Sequence, residues 1–173
     1  MLTSRSCIRA ALFVLVAGAP ATAHAAEWII KHPGDQPTYV FEAEPHGLVG
    51  LSGPFEDKGR FGAGFRGTVV IVRDGFIPKI NDSVGITFGG DFFFGKESTL
   101  FLPVAMQWNF WLTPSWSVFG EPGIGLAAKK LEFKKDVLHP ILMAGARFHF
   151  TERVALTLRA GYPAVSVGVS FLF

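Results

Sequence analysis

Residues 165–173 read Val165-Ser-Val-Gly-Val-Ser-Phe-Leu-Phe173 and repeat with a period of two. Successive side chains of a β-strand point to opposite faces, so this period gives one face of valine and phenylalanine and another built largely of serine and glycine. The segment therefore predicts a strand with one wholly apolar face.

The same period recurs upstream, and residues that favour turns separate the repeats. We predict eight strands: Tyr39–Leu51, Arg60–Val72, Ser83–Phe94, Thr99–Leu112, Trp116–Ala127, His139–Phe150, Val154–Tyr162 and Val165–Phe173. Pro45, Pro103 and Pro122 lie well inside these strands. Since proline lacks the backbone N–H, we expect each to remove a ladder hydrogen bond at a bulge or near a strand end.

The distribution of lysine indicates which face meets which surroundings. All eight lysines lie outside the predicted strand interiors, and the apolar faces of the strands carry no charge. A water-exposed sheet usually uses lysine freely, whereas a charge facing lipid is costly. The strands are long enough for a tilted crossing, and backbone groups in lipid find partners only in a closed barrel. The sequence predicts an all-β, eight-stranded antiparallel up-and-down transmembrane β-barrel over residues 39–173. A soluble, lipocalin-like periplasmic carrier with its apolar face inside is the alternative architecture.

Three tryptophans surround the predicted turn at residues 113–115. Trp108, Trp111 and Trp116 lie where a strand would leave the hydrocarbon layer. Because aromatic side chains favour the membrane–water interface, we expect all three to belong to an interfacial girdle.

The N-terminal residues have the features of a secretory signal peptide. Arg5 and Arg9 precede a short apolar stretch, and Ala23-His24-Ala25 fits a cleavage site. We predict a signal peptide over residues 1–25 and an extended periplasmic lead-in over residues 26–38. Cys7, the single cysteine, would leave with the signal, so no thiol or disulfide chemistry is expected.

Charge and hydropathy narrow the class of partner. The 16 Lys and Arg residues include Arg5 and Arg9, so a chain without residues 1–25 carries as many basic as the 14 acidic residues. That balance gives no support to a nucleic-acid partner. The mean hydropathy of +0.35 and the 18 phenylalanines fit a chain in contact with lipid.

With its signal peptide, alternating strands, short turns and terminal phenylalanine strand, the chain resembles the small OmpA/OmpX-type outer-membrane barrels. The resemblance covers nearly all of residues 39–173. It implies a monomer in the outer membrane of a Gram-negative bacterium, surrounded by membrane lipid and lipopolysaccharide. In that family the terminal strand is the signal read by the barrel-assembly machinery. Residues 165–173 resemble such a strand, which implies the same machinery as a partner. The resemblance specifies a fold and leaves the function open.

Charged residues on the inner face suggest an ion-pair network. An eight-stranded barrel has an interior just wide enough for its side chains, and buried charges must be paired. We therefore expect a side-chain-filled lumen rather than a pore. The predicted network consists of Glu42, Glu44, Arg66, Asp91, Glu121, Arg147 and Arg159.

A second candidate site is the basic cluster in the loop between the fifth and sixth strands. Clustered lysines attract anionic head groups, so this loop is a candidate lipopolysaccharide contact. The residues concerned are Lys129, Lys130, Lys134 and Lys135.

No catalytic residue, metal site or cofactor is assigned. His139 and His149 lie too far apart on one strand to share a metal ion. Lipid A deacylase barrels use a His-x-Ser pair facing the membrane, and the nearest match is His149-Phe150-Thr151, on the predicted inner face. We expect a structural or surface-interaction role. The alternatives are a lipid A-modifying or other membrane-embedded hydrolase and a narrow conduit for small solutes or ions.

Overall fold

The computed structural model describes residues 27–51, 60–95, 98–129 and 138–173, which form one closed sheet. The strands are β1 Phe41–Gly50, β2 Arg60–Val72, β3 Asp82–Phe93, β4 Thr99–Thr113, β5 Trp116–Lys129, β6 Leu138–Thr151, β7 Val154–Tyr162 and β8 Ala164–Leu172. Each strand pairs antiparallel with the next, and β1 pairs with β8. The predicted eight-stranded all-β barrel is thus confirmed. In these four ranges no helix is long and apolar enough to cross a membrane.

The strand bounds follow the predicted ones closely. β2 and β7 begin and end where the period of two places them, β4 and β5 begin at the predicted residues, and the remaining ends differ by one or two residues. The largest correction concerns Tyr39, predicted in the first strand. β1 begins at Phe41, and the Tyr39 side chain is buried instead at the end of the barrel. The predicted signal peptide lies outside the described residues.

Pro45, Pro103 and Pro122 lie in regular pairing on one side and interrupt the ladder on the other. Pro45 pairs with Phe65 of β2, Pro103 with Gly125 of β5 and Pro122 with Leu142 of β6. On the opposite side, each proline lies in a two-residue gap of the register, at residues 44–45, 102–103 and 121–122. The expected interruption of the ladder is therefore seen at each of these prolines. The irregular registers lie elsewhere, near Val70, Trp111 and His149, so the prolines mark neither these bulges nor strand ends.

The alternation of side chains separates two surfaces. In β8 the valines face outward and are exposed, while Ser166 and Ser170 are buried inside. The same division holds around the described part of the barrel. Among the described residues of the strands, Asp82, the first residue of β3, is the one charged side chain whose place in the alternation is outward, and it is buried. The wall of the barrel is therefore apolar outside and polar through much of its inside.

The two ends of the barrel differ. One end, called here the turn end, carries Phe173 and the connections at residues 73–81, 114–115 and 152–153. The other end, called here the loop end, carries the connections at residues 51–59, 94–98, 130–137 and 163, of which only residues 51, 94, 95, 98 and 163 are described.

Residues 27–40 form a cap over the turn end, where sequence reasoning expected an extended segment. The Ile29 N–H donates to the Leu112 carbonyl at 3.0 Å, and the Ile30 carbonyl accepts from the Asn81 N–H at 2.7 Å. The Val40 N–H donates to the Phe173 carbonyl at 2.7 Å. These bonds hold the cap to the end of β4, to the connection at residues 73–81 and to the residue that follows β8.

Two apolar layers close the lumen. The cap contributes to the lower one, at the turn end, which consists of Ile29, Tyr39, Trp111 and Leu172. The upper layer, near the loop end, consists of Leu48, Phe93, Phe101, Ala127, Ile141, Met143 and Ala164. The polar part of the lumen therefore lies between two apolar layers.

Candidate functional site: the lumen ion-pair network

The seven charged side chains named from the sequence come together in the lumen. They extend from six of the eight strands, and each is at most 5% exposed. Carboxylates and guanidinium groups alternate in the space between the apolar layers. The structure thus provides close partners for charges that would be very costly if buried alone.

Arg147 of β6 holds Glu42 of β1 across the lumen. Its Nη2 lies 2.7 Å from Oε2 of Glu42, and its Nε lies 3.1 Å from Oε1. Its Nη1 donates to Oδ1 of Asn109 at 2.9 Å. This two-point contact uses the planar fork of arginine, which a lysine could not reproduce.

Arg159 of β7 bridges two carboxylates. Its Nε donates to Oε2 of Glu121 at 3.1 Å, and its Nη1 forms an ion pair with Glu44. Gln107 donates from Nε2 to Oε1 of Glu121 at 2.8 Å. One guanidinium therefore joins carboxylates from opposite walls of the barrel.

Arg66 and His46 share Asp91 of β3. Nη2 of Arg66 lies 2.6 Å from Oδ2 of Asp91, and Nε2 of His46 lies 3.0 Å from Oδ1. Nδ1 of His46 lies 3.6 Å from Oε1 of Glu44, so the imidazole connects the Asp91 and Glu44 contacts. The seven predicted residues hold four carboxylates and three guanidinium groups, and His46 lies between two of the carboxylates.

Phe119 packs beneath two of the arginines. Its ring centroid lies 4.3 Å from Cζ of Arg147 and 5.0 Å from Cζ of Arg159. A cation over an aromatic face is attracted by the ring quadrupole. Gly145 of β6 leaves room for this ring, because an added Cβ there would collide with Phe119. The polar layer is thus packed as well as paired.

Sequence reasoning missed the contact between Ser117 and His149. The Ser117 hydroxyl lies 3.1 Å from Nε2 of His149, and both residues are buried. Among the described residues no carboxylate forms an ion pair with His149. The Thr151 hydroxyl, compared above with a deacylase serine, instead accepts from the Arg153 and Val154 N–H groups at 3.2 and 3.1 Å. The geometry of the Ser117–His149 contact therefore indicates a hydrogen bond with a structural role.

The tryptophans divide between the two surfaces, so the expectation that all three form a girdle is wrong for Trp111. Trp108 and Trp116 face outward, whereas Trp111 is fully buried in the lower apolar layer. Its ring lies 4.8 Å from the His149 ring and 6.3 Å from the Tyr39 ring. The reason is parity, since residues 108 and 111 are an odd number of positions apart on one strand.

The basic loop falls largely outside the described residues. Lys129 is the last residue of β5. Lys130, Lys134 and Lys135 lie in the undescribed stretch 130–137. Their predicted contact with lipopolysaccharide stays a prediction.

Comparison with known proteins supports the fold. The chain matches no protein-family profile and no curated protein sequence. A solved structure described as a de novo design of transmembrane β-barrels is 13% identical, with a TM-score of 0.55, over 83% of this chain and 99% of that one. The designed protein TMB2.3 is 14% identical, with a TM-score of 0.48, over 81% and 98% of the two chains. The Yersinia pestis outer membrane protein Ail is 13% identical, with a TM-score of 0.43, over 76% and 99%. At these identities the similarity to the first design concerns the fold alone: a closed barrel of the transmembrane type.

Proposed function

We propose that the protein is an integral barrel of the outer membrane of a Gram-negative bacterium, exported by its signal peptide. Its role is structural or one of surface interaction, and its lumen is filled by side chains. The observation that carries this proposal is the outward face, where exposed apolar side chains surround the described wall. The single outward charge, on Asp82, is buried. A surface of this kind is what the hydrocarbon layer requires.

Aromatic rows at both ends of the wall support a membrane position. At the turn end, Trp116 packs on Phe148 at 5.1 Å and Phe148 on Phe150 at 5.2 Å, and Phe150 is 60% exposed. At the loop end, Phe92 packs on Phe94 at 5.5 Å. Outward aromatic groups at two levels fit the two interfaces of a bilayer.

The side chains that fill the lumen argue against both a conducting pore and a ligand-binding cavity. The polar layer is occupied by paired charges, and apolar side chains lie above and below it. A conduit would need a hydrated path through both apolar layers. A soluble carrier would need an apolar cavity in place of the charged network. Both alternatives are therefore less well supported than a filled membrane barrel.

Heat modifiability of the exported chain tests the proposal. We expect the protein to fractionate with outer membranes and to change its gel mobility when the sample is boiled, because a folded membrane barrel resists SDS. A soluble periplasmic protein whose mobility does not change would contradict the proposal.

Intact lipid A after expression would argue against the hydrolase alternative, and loss of acyl chains would favour it.

A pair of lysine variants tests the orientation of the wall. Val104 faces outward in the middle of β4 and is 50% exposed, whereas Ser115 lies in the turn that follows. A lysine at the bilayer midplane costs about 2–4 kcal/mol. Val104→Lys should therefore reduce the fraction of protein that folds into lipid vesicles, as measured by the heat-dependent shift, and Ser115→Lys should not. Equal folding of the two variants would contradict the proposal.

A further inference from the structure

The connection between β2 and β3 folds outward against the wall of the barrel. It contains the apolar run Gly75-Phe-Ile-Pro-Lys-Ile80. The Gly75 N–H donates to the Asp82 carbonyl at 2.8 Å, and the Phe76 N–H donates to Oδ2 of Asp82 at 3.1 Å. An added Cβ at Gly75 would collide with the Asp82 carboxylate, so the approach is close. Residues 73–81 are called the foot below.

Asp82 explains why the foot takes this position. Its place in the strand alternation is outward, yet it is 1% exposed. The Trp108 indole N–H donates to Oδ2 at 2.6 Å, alongside the Phe76 N–H. A carboxylate at the edge of an apolar face is costly unless hydrogen bonds satisfy it. The foot therefore covers the one charge on the outward face.

In covering Asp82, the foot exposes its own apolar groups. Phe76 is 58% exposed, and its ring lies edge-on to Trp108 at 5.9 Å. Trp108 packs in turn on Phe110 at 5.0 Å. Pro78 and Lys79 are also exposed. The foot thus continues the outward aromatic face beyond the ends of the strands.

We propose that the foot is a membrane-surface anchor that inserts into the interface of the phospholipid leaflet nearest the turn end. The inference rests on the proposed membrane position of the barrel. Phe76 and Pro78 would lie at the boundary between acyl chains and head groups, a level that aromatic side chains favour. Lys79 would reach the phosphates, because its aliphatic stem can lie along apolar groups while the ammonium stays hydrated.

The neighbouring connections at the turn end differ in a way that favours lipid as the occupant. The turn at residues 114–115 and the turn at residues 152–153 are short, and both are exposed. Glu152 and Arg153 give the second turn a charged tip. Of the three connections at the turn end, only the foot folds back onto the wall with exposed aromatic and aliphatic groups. It should therefore insert while the other two turns remain in water.

Nitroxide scanning in phospholipid vesicles tests the anchor. Single spin labels are placed through Phe76→Cys, Ser115→Cys and Val104→Cys in a Cys7→Ser chain. Oxygen partitions into lipid and a charged nickel chelate stays in water, so the ratio of the two accessibilities reports depth. We expect Val104 to be deepest, Phe76 intermediate and Ser115 in water. Pro78→Cys repeats the measurement without disturbing the contact between Phe76 and Trp108.

The outcomes separate the two proposals. If labels at residues 76 and 78 match Ser115 while Val104 remains lipid-accessible, the anchor is wrong and the membrane barrel stands. If the label at Val104 is itself water-accessible, the membrane barrel fails together with the anchor. An intermediate depth at both foot positions supports the anchor. The role of the Lys79 ammonium is tested with Lys79→Glu in anionic vesicles. A shift of the label at residue 78 into water would support that role. An unchanged depth in Lys79→Glu would overturn that role.

Discussion

The stability of a buried charge in the lumen depends on the ion-pair and hydrogen-bond partners around it. Glu42 is nearly inaccessible to solvent, and its two carboxylate oxygens accept hydrogen bonds from Nε and Nη2 of Arg147. The Ser170 hydroxyl lies 2.7 Å from one of those oxygens. Removing one member of such a group leaves a buried charge without its main partner.

Arg147→Met should be strongly destabilising for this reason. We expect a loss of about 3–5 kcal/mol in the free energy of unfolding, measured by urea titration of the vesicle-bound barrel. Arg147→Met combined with Glu42→Gln should recover much of that loss, because the unpaired charge is gone. A double variant as unstable as the single one would show that packing around Phe119, and not charge pairing, sets the cost.

At the scale of elements, the cap is the part whose structure depends most on distant contacts. Residues 27–40 show no period, yet Tyr39 is buried against Trp111. Burial raises the pKa of the Tyr39 phenol well above its usual range, because the phenolate would lose its hydration. Above about pH 10, Tyr39 in the docked cap therefore keeps its phenolic proton, whereas Tyr39 in an undocked cap loses it.

The sign of this linkage makes an alkaline test possible. Since the folded pKa is the higher one, the stability of the docked cap is complete below the ordinary tyrosine pKa of about 10 and declines above it. Subtracting the phenolate absorbance of Tyr39→Phe from that of the natural chain isolates Tyr39. We expect no Tyr39 phenolate at about pH 11 in the folded barrel and a full signal after unfolding in guanidinium. Ionisation of Tyr39 near pH 10 in the folded protein would mean that the cap is undocked.

The elements also show what the sequence could predict. A period of two gives both the strand and the face of each residue, so the eight strands and the inward direction of residues such as Glu121 and Arg159 follow directly. Trp111 differs from the prediction because its odd distance from Trp108 along β4, and not its nearness to the turn, decides which face it occupies. The contact between Ser117 and His149 depends on the register of β5 against β6, which no single strand contains. The foot and the cap lack a period, and tertiary contacts position them.

For the whole molecule, the two apolar layers have a common consequence for permeation. One apolar layer lies at each end of the lumen, and paired charges fill the polar layer between them. Trp111→Ala should open only the lower layer. We therefore expect this variant to leave conductance in planar bilayers at the level of the lipid alone, as for the natural chain. Stable channels in Trp111→Ala would show that the upper layer does not close the barrel.

The cap bears on the order in which the barrel forms. Its hydrogen bonds reach from Ile29 to Leu112 at the end of β4, and from Val40 to Phe173 after β8. Contacts between residues so far apart in sequence require the closure of long loops. The cap can dock fully only after the last strand has joined the first, although its residues precede every strand. The docked cap is therefore a marker of completed closure, and a slow final change in Tyr39 or Trp111 fluorescence would report that moment.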